Sequence, residues 1–76
     1  MGMVRYKQLG GPSGVVAYKL APEAIEVRFV DGHTYTYNYA VPGPLPVEHM
    51  KQLAREGKGL ATFISQHVRQ NYAAKR

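Results

Sequence analysis

The fold is decided by residues 25–39, which read IEVRFVDGHTYTYNY. Apolar and charged residues alternate over the first five positions, which is the period-2 pattern of a strand with one buried face. Asp31 and Gly32 follow as a strong hairpin signal, and the Thr- and Tyr-rich residues after them are typical of a further strand. This stretch therefore predicts an antiparallel hairpin.

The loop length of this hairpin determines which side chains share a face. A two-residue turn would place the tyrosines on the face opposite Val27. A three-residue loop at residues 30–32 instead pairs Val27 with Tyr35 and Ile25 with Tyr37. Because burial of one apolar face specifies register, we predict the three-residue loop, with the large side chains united on one side.

The sequence around the hairpin predicts a small α+β domain. Residues 15–20 form an earlier strand by their β-branched content, and the proline-rich stretch 42–46 ends the sheet. Two amphipathic helices follow, the first from Pro46 to a stop at Gly57 and the second over residues 60–71. We therefore predict a three-stranded antiparallel sheet followed by two helices packed on one face.

The length of the chain, 76 residues, corresponds to one domain. Residues 1–13 form an N-terminal arm that either stays loose or docks Val4 and Tyr6 as a short edge strand, and residues 14–76 form the domain proper. The absence of Cys excludes disulfides and thiolate metal ligands. With neither an apolar run of ~18 residues nor an apolar leader, we expect a cytoplasmic protein.

The charge of the chain is +5, from ten Lys or Arg and five Asp or Glu. Residues 1–40 carry four bases and three acids, whereas residues 41–76 carry six bases and two acids. A small protein with its positive charge in one half favours anionic partners such as RNA. A basic surface kept only for solubility fits the same composition equally well.

Several short motifs, in their order along the chain, resemble the KTSC domain, a module named for the C-terminus of some lysyl-tRNA synthetases. They are Val16-Ala17-Tyr18, Ile25-x-Val27-x-Phe29, Gly32, Tyr35-Thr36-Tyr37, Val41-Pro42 and Phe63-Ile64-Ser65-x-x-Val68-Arg69-x-x-Tyr72. The resemblance covers residues 13–72, with Ser65 where the family usually has Asn. It implies the same α+β fold and, from the synthetase context, RNA binding.

The candidate nucleic-acid interface is the surface of the second predicted helix and the turn before it. Lys58 and Gly59 precede that helix, where free amides and the positive end of the helix dipole attract phosphate. By helical spacing Arg69 and Arg76 share a face, and we expect both to contact phosphate. Ser65 would add a hydrogen bond, and Tyr72 would stack or pack beside the backbone. The predicted binding residues are Lys58, Gly59, Ser65, Arg69, Tyr72 and Arg76. An ordinary solvated helix face is the alternative.

Three tyrosines of one strand are a second candidate surface. Tyr35, Tyr37 and Tyr39 could stack bases if their face of the sheet were open. The predicted register, however, places this face under the helices, where tyrosine rings pack in the core. We therefore favour a core role for Tyr35 and Tyr37 and leave both roles open for Tyr39.

No motif indicates catalysis or a cofactor. His33, His49 and His67 are separated by 16 and 18 residues, whereas zinc requires three or four convergent ligands. Ser65 lies two residues from His67, so the two point in different directions from a helix. We expect a non-enzymatic domain without metal or cofactor that binds RNA weakly. The alternative is a protein-interaction module, a homodimer or a partner docked at a sheet edge, and we expect no membrane partner.

Overall fold

The computed structural model of the chain describes residues 2–11 and 13–76. Within these residues, five antiparallel strands form one sheet in which spatial order follows chain order. The strands are β1 (Val4–Arg5), β2 (Val15–Ala21), β3 (Ala24–Phe29), β4 (Thr34–Asn38) and β5 (Ala74–Lys75). The helices are α1 (Pro44–Glu56) and α2 (Leu60–Phe63), and α2 continues directly into a π-helical segment (Ile64–Val68).

The hairpin of β3 and β4 has the predicted register. Ile25 pairs with Tyr37, and Val27 pairs with Tyr35. The three-residue loop ends at Gly32, whose φ of 91° lies in the left-handed region that glycine adopts without strain. All four paired side chains therefore point to the same face of the sheet, and the predicted register is confirmed.

The α+β class is confirmed, but the sheet has two more strands than the sequence predicted. β1 pairs Val4 with Tyr18 at one edge, and β5 pairs Tyr35 with Lys75 at the other. Each of these edge strands is only two residues long, which is too short to produce an alternating pattern. The prediction of three strands is therefore wrong. The N-terminal arm takes its docked alternative within residues 2–11, whereas residues 1 and 12 of the predicted arm lie outside the described residues.

Both helices cover one face of the sheet, and the core lies between. The core residues are Tyr6, Val15, Tyr18, Ile25, Val27, Tyr37, Val47, Met50, Ala54, Leu60, Ile64 and Val68. A register shift between Val15 and Ala17 in β2 keeps Val15 and Tyr18 both on this face. Tyr6 is 3% exposed, and its hydroxyl accepts a hydrogen bond from the backbone N–H of Leu60 over 3.1 Å. The segment after β1 is thus anchored beneath the second helix.

The first helix begins earlier than the sequence predicted. α1 starts at Pro44, so Pro44 and Pro46 both lie in its first turn, where the missing N–H groups would have no intrahelical acceptor. Gly57 ends the helix in the left-handed conformation, with φ 82°, as predicted. Its N–H donates to the carbonyl oxygens of Leu53 and Ala54.

The second helix ends earlier than predicted. Its last turn is π-helical, with the N–H of Arg69 donating to the carbonyl oxygen of Ile64, and the backbone leaves helical geometry at Arg69, where φ is 12° and ψ is −94°. The chain then turns back to pair β5 with β4. The prediction of a helix over residues 60–71 is therefore wrong beyond Val68, because pairing with the open edge of β4 replaces further helical turns.

Candidate nucleic-acid interface

A cavity of about 390 Å³ opens between the hairpin end of the sheet and the segment after the second helix. Three of the predicted binding residues, Ser65, Arg69 and Tyr72, line it. It forms where the helical cover ends: the chain turns away at Arg69 and returns along β4. The early end of the helix therefore brings these three residues together around a concavity instead of along a helix face.

The other predicted residues lie elsewhere. Lys58 and Gly59 line a separate cavity of about 180 Å³ beside the N-terminal arm. Arg76 exchanges two backbone hydrogen bonds with Thr34, and its guanidinium forms an ion pair with Glu26 over 2.7 Å. The prediction that Arg69 and Arg76 share a face is wrong, because Arg76 continues a strand and points to the face of the sheet that carries Glu26.

The second helix itself carries no Lys or Arg, so its surface is not basic. Lys51 of α1 does not add a free charge to this surface either. It is buried, and its ammonium group donates to the carbonyl oxygen of Pro22 over 2.9 Å and pairs with Glu48 over 2.9 Å. Along the chain, the cations that flank this helix are Lys58 before it and Arg69 after it.

One wall of the 390 Å³ cavity is a cluster of aromatic rings. The ring centre of Tyr35 lies 5.4 Å from that of Phe29 and 4.9 Å from that of Tyr72, both in edge-to-face geometry. The ring centre of Tyr37 lies 6.5 Å from that of Tyr72. Tyr37 is only 1% exposed, whereas the other three rings are partly exposed. Three aromatic surfaces are therefore open to a ligand, backed by a fourth ring in the core.

The tyrosines in β4 and directly after it thus have different roles. Burial raises the pKa of the Tyr37 hydroxyl well above its usual value, and the neighbouring Tyr35 and Tyr72 raise it further. Tyr39 turns to α1, where its hydroxyl donates to Glu48 over 2.7 Å, and this hydrogen bond raises its pKa. The strand is therefore not an open stacking platform: Tyr37 is core, Tyr39 is tied to α1, and Tyr35 faces the cavity.

Two cations stand beside the aromatic cluster. Lys75, which sequence reasoning missed, places its ammonium nitrogen 5.4 Å from the centre of the Tyr35 ring, within cation–π range. Arg69 lines the same cavity, and Asp31 is the one carboxylate among its described lining residues. Asp31 already accepts a hydrogen bond from the N–H of His33 over 2.9 Å. The cavity therefore joins aromatic surface to net positive charge.

The histidines lie apart from this cavity. His49 and His67 both pack against Phe63, with ring centres 4.6 and 4.7 Å from it, and His33 follows the hairpin loop. In the part of the chain that the structure describes, no group of three or more His, Asp or Glu is placed to hold a metal ion. No helix among residues 2–11 and 13–76 is long and apolar enough to cross a membrane.

Comparisons of the chain with protein-family models, with curated proteins and with solved structures found no match. The likeness to the KTSC domain rests on the sequence motifs quoted above and stays a prediction.

Proposed function

We propose that the chain is a small, non-enzymatic domain that binds single-stranded RNA weakly and seats a base in the cavity beside Tyr35 and Tyr72. The observation that carries this proposal is the meeting of open aromatic surface and cations in one concavity. Base–aromatic stacking contributes about 1–3 kcal/mol per base and tolerates any sequence, because every base has a π-face. A volume of about 390 Å³ is within the usual range for ligand pockets.

The polar residues of the cavity fit the remainder of a nucleotide. Arg69 and Lys75 offer charge-assisted hydrogen bonds to phosphate. Ser65 and Gln70 offer hydrogen bonds to a base edge, with both a hydroxyl and an amide available. The two cations of the cavity alone would give the log–log dependence of affinity on salt a slope of about −1.4, so that binding to the cavity is weak and modestly salt-sensitive.

Two further considerations support the proposal. The chain carries a net charge of +5, and its motifs resemble the KTSC domain, which occurs in the context of a tRNA-charging enzyme. A cytoplasmic location, where RNA is accessible, is part of this proposal.

Fluorescence anisotropy tests this function with labelled single-stranded RNA, a folded RNA and the matching single-stranded DNA, each at low and moderate salt. We expect saturable binding with a preference for the single strands. Arg69→Gln should weaken binding roughly tenfold, since it removes a charge-assisted hydrogen bond of ~1.5 kcal/mol. Arg55→Gln is the matched control: it removes the same charge from an exposed position in the last turn of α1.

Two results would contradict the proposal. Equal losses with Arg69→Gln and Arg55→Gln would indicate unspecific attraction of polyanions by the charge of the chain. The absence of any binding at low salt would remove the nucleic-acid function altogether.

The second candidate function is a protein-interaction module. It is favoured by the edge of the sheet at β2, part of which has no neighbouring strand within the described residues. β1 pairs only with Ala17 and Tyr18. In the part of the chain that the structure describes, no strand therefore pairs with residues 19–21 of β2 on that side. These residues are exposed, and a second copy or a partner segment could add a strand there. Sedimentation velocity over a wide concentration range should then detect a dimer. A monomer at every concentration would contradict the homodimer.

A further inference from the structure

The face of the sheet turned away from the helices carries a row of three arginines. Arg5 pairs with Ala17, Ala17 with Arg28, and Arg28 with Thr34. Thr34 in turn exchanges backbone hydrogen bonds with Arg76. The row therefore takes one residue from each strand or its continuation, and arginines alternate with small side chains along the row.

The geometry of a sheet spaces these arginines evenly. Neighbouring strands lie ~4.8 Å apart, so arginines on alternate strands are about 10 Å apart at the backbone. All three are exposed, and the side chain of Arg76 stays 67% exposed despite its ion pair with Glu26. The Nε of Arg28 donates to the Thr34 hydroxyl over 3.3 Å, which orients its guanidinium along the row.

A groove of about 770 Å³ opens on this face beside β1. Arg5, Lys7 and Arg28 line it together with Gln8, and none of its described lining residues is Asp or Glu. The nearest acid in the register of the sheet is Glu26, which is engaged by Arg76. This face therefore concentrates positive charge more than the aromatic cavity does, where Asp31 offsets part of the charge.

We propose that this outer face binds the phosphate backbone of a single-stranded nucleic acid through Arg5, Arg28 and Arg76, with Lys7 at its end. The inference rests on the RNA-binding function proposed above and adds a second contact surface to it. Guanidinium groups match phosphate in bidentate geometry, and their regular spacing suits a polymer with repeated charges. A folded acidic protein fits less well, because its carboxylates do not repeat at an even spacing that would match the row of arginines.

The C-terminal edge connects the two surfaces. Because side chains alternate along a strand, Lys75 turns to the Tyr35 ring in the cavity and Arg76 to the outer face. A nucleic acid with one base in the cavity can therefore pass around β5 and continue across the arginine row. The cavity would hold a base, and the outer face would hold the phosphates that follow it.

The test compares binding of the full chain to AMP and to a labelled single-stranded RNA of about twelve nucleotides, within the range of common single-strand site sizes. Affinity is measured by anisotropy, and contacts are mapped by amide chemical shifts. The double variant Arg5→Gln/Arg28→Gln should bind the RNA roughly tenfold more weakly and lower the salt slope by about 1.4. Cavity shifts with AMP should be unchanged in this variant, whereas Arg69→Gln should weaken both ligands.

The double variant Arg5→Lys/Arg28→Lys controls for folding and charge and should keep the wild-type salt slope. Wild-type affinity and slope in the Gln variant, with Arg69→Gln still impaired, would overturn the outer-face site and leave the cavity in place. Displacement of the RNA by polyglutamate of equal charge would overturn the choice of nucleic acid. Absence of RNA binding by the wild-type chain would overturn both surfaces.

Discussion

The sheet has a two-residue strand at each edge: β1 at the N-terminal edge and β5 at the C-terminal edge. Different contacts hold these two strands in place. β1 is followed by Tyr6, which is buried in the core and hydrogen-bonded to the start of α2. β5 is preceded by Tyr72, which is only partly buried, and is followed by Arg76, whose contact with Glu26 is a surface ion pair.

The comparison shows that strand length does not determine how firmly an edge is held. Both edges gain a few backbone hydrogen bonds, each worth about 0.5–1.5 kcal/mol net. The difference lies in the neighbouring side chain: a fully buried aromatic ring stabilises an edge more than a half-exposed ring and an exposed ion pair do. The weaker edge is the one beside the aromatic cavity, as expected where a ligand has to enter.

The largest expected effect is that of Tyr6→Ala, which should lower the free energy of unfolding by about 3–5 kcal/mol, because it leaves a cavity in the core. Urea denaturation measures this change. Since small domains unfold with a free energy of only about 5–15 kcal/mol, Tyr6→Leu serves as the companion variant, with a smaller but clear loss. A loss below 1 kcal/mol in Tyr6→Ala would show that the N-terminal edge is not anchored by this ring.

The next effect is that of Tyr6→Phe, which keeps the ring but removes the acceptor of the Leu60 N–H. A buried N–H without a partner costs about 1–3 kcal/mol, and urea denaturation should detect that loss. Tyr18→Phe is the matched control, because within the described residues its hydroxyl makes no hydrogen bond. Equal losses in the two variants would mean that the hydrogen bond to α2 contributes nothing specific.

Tyr72→Ala should lower stability by about 1–2 kcal/mol, less than Tyr6→Ala, because a half-buried ring loses less contact area. Hydrogen exchange should show the difference between the edges as well. In this variant the amide of Arg76 should exchange faster while the amide of Tyr6 keeps its protection. Loss of protection at both amides would show that the two edges unfold together as one cooperative unit, which would contradict the difference between them.

The smallest effect is that of the Arg76–Glu26 ion pair. Arg76→Gln, Glu26→Gln and the double variant form a thermodynamic cycle whose coupling free energy should be below about 1 kcal/mol, since exposed pairs contribute little. Thermal denaturation at low and high salt measures it, and salt should reduce the coupling further. A coupling of 2 kcal/mol or more would mean that the C-terminal edge is locked by this contact.

Local chemistry explains the parts of the fold that the sequence predicted. The register of Val27 with Tyr35 follows from alternation and from the loop ending at Gly32, and the end of α1 follows from Gly57. All of these signals lie within a few residues of the structure that they specify. The helix predicted over residues 60–71 is wrong beyond Val68, because the π-helical turn changes the direction of the chain there.

The candidate site was predictable only in part. The helical pattern predicts Ser65, Arg69 and Tyr72 for the surface of the second helix. They lie together in the cavity for another reason, the return of the chain along β4. Lys75 carried no signal, because β5 has only two residues. Arg76 was assigned to the wrong surface for the same reason.

The sequence by itself determined the α+β class, the hairpin register, the buried face and the basic charge, because turn residues and short-range periodicity encode them. Only the tertiary structure decided the two edge strands, the aromatic cavity and the arginine row. Arg5, Arg28 and Arg76 are brought into line by pairing between strands that are distant along the chain. Such pairing depends on which sheet edges remain open after the core has packed, and no local pattern records that.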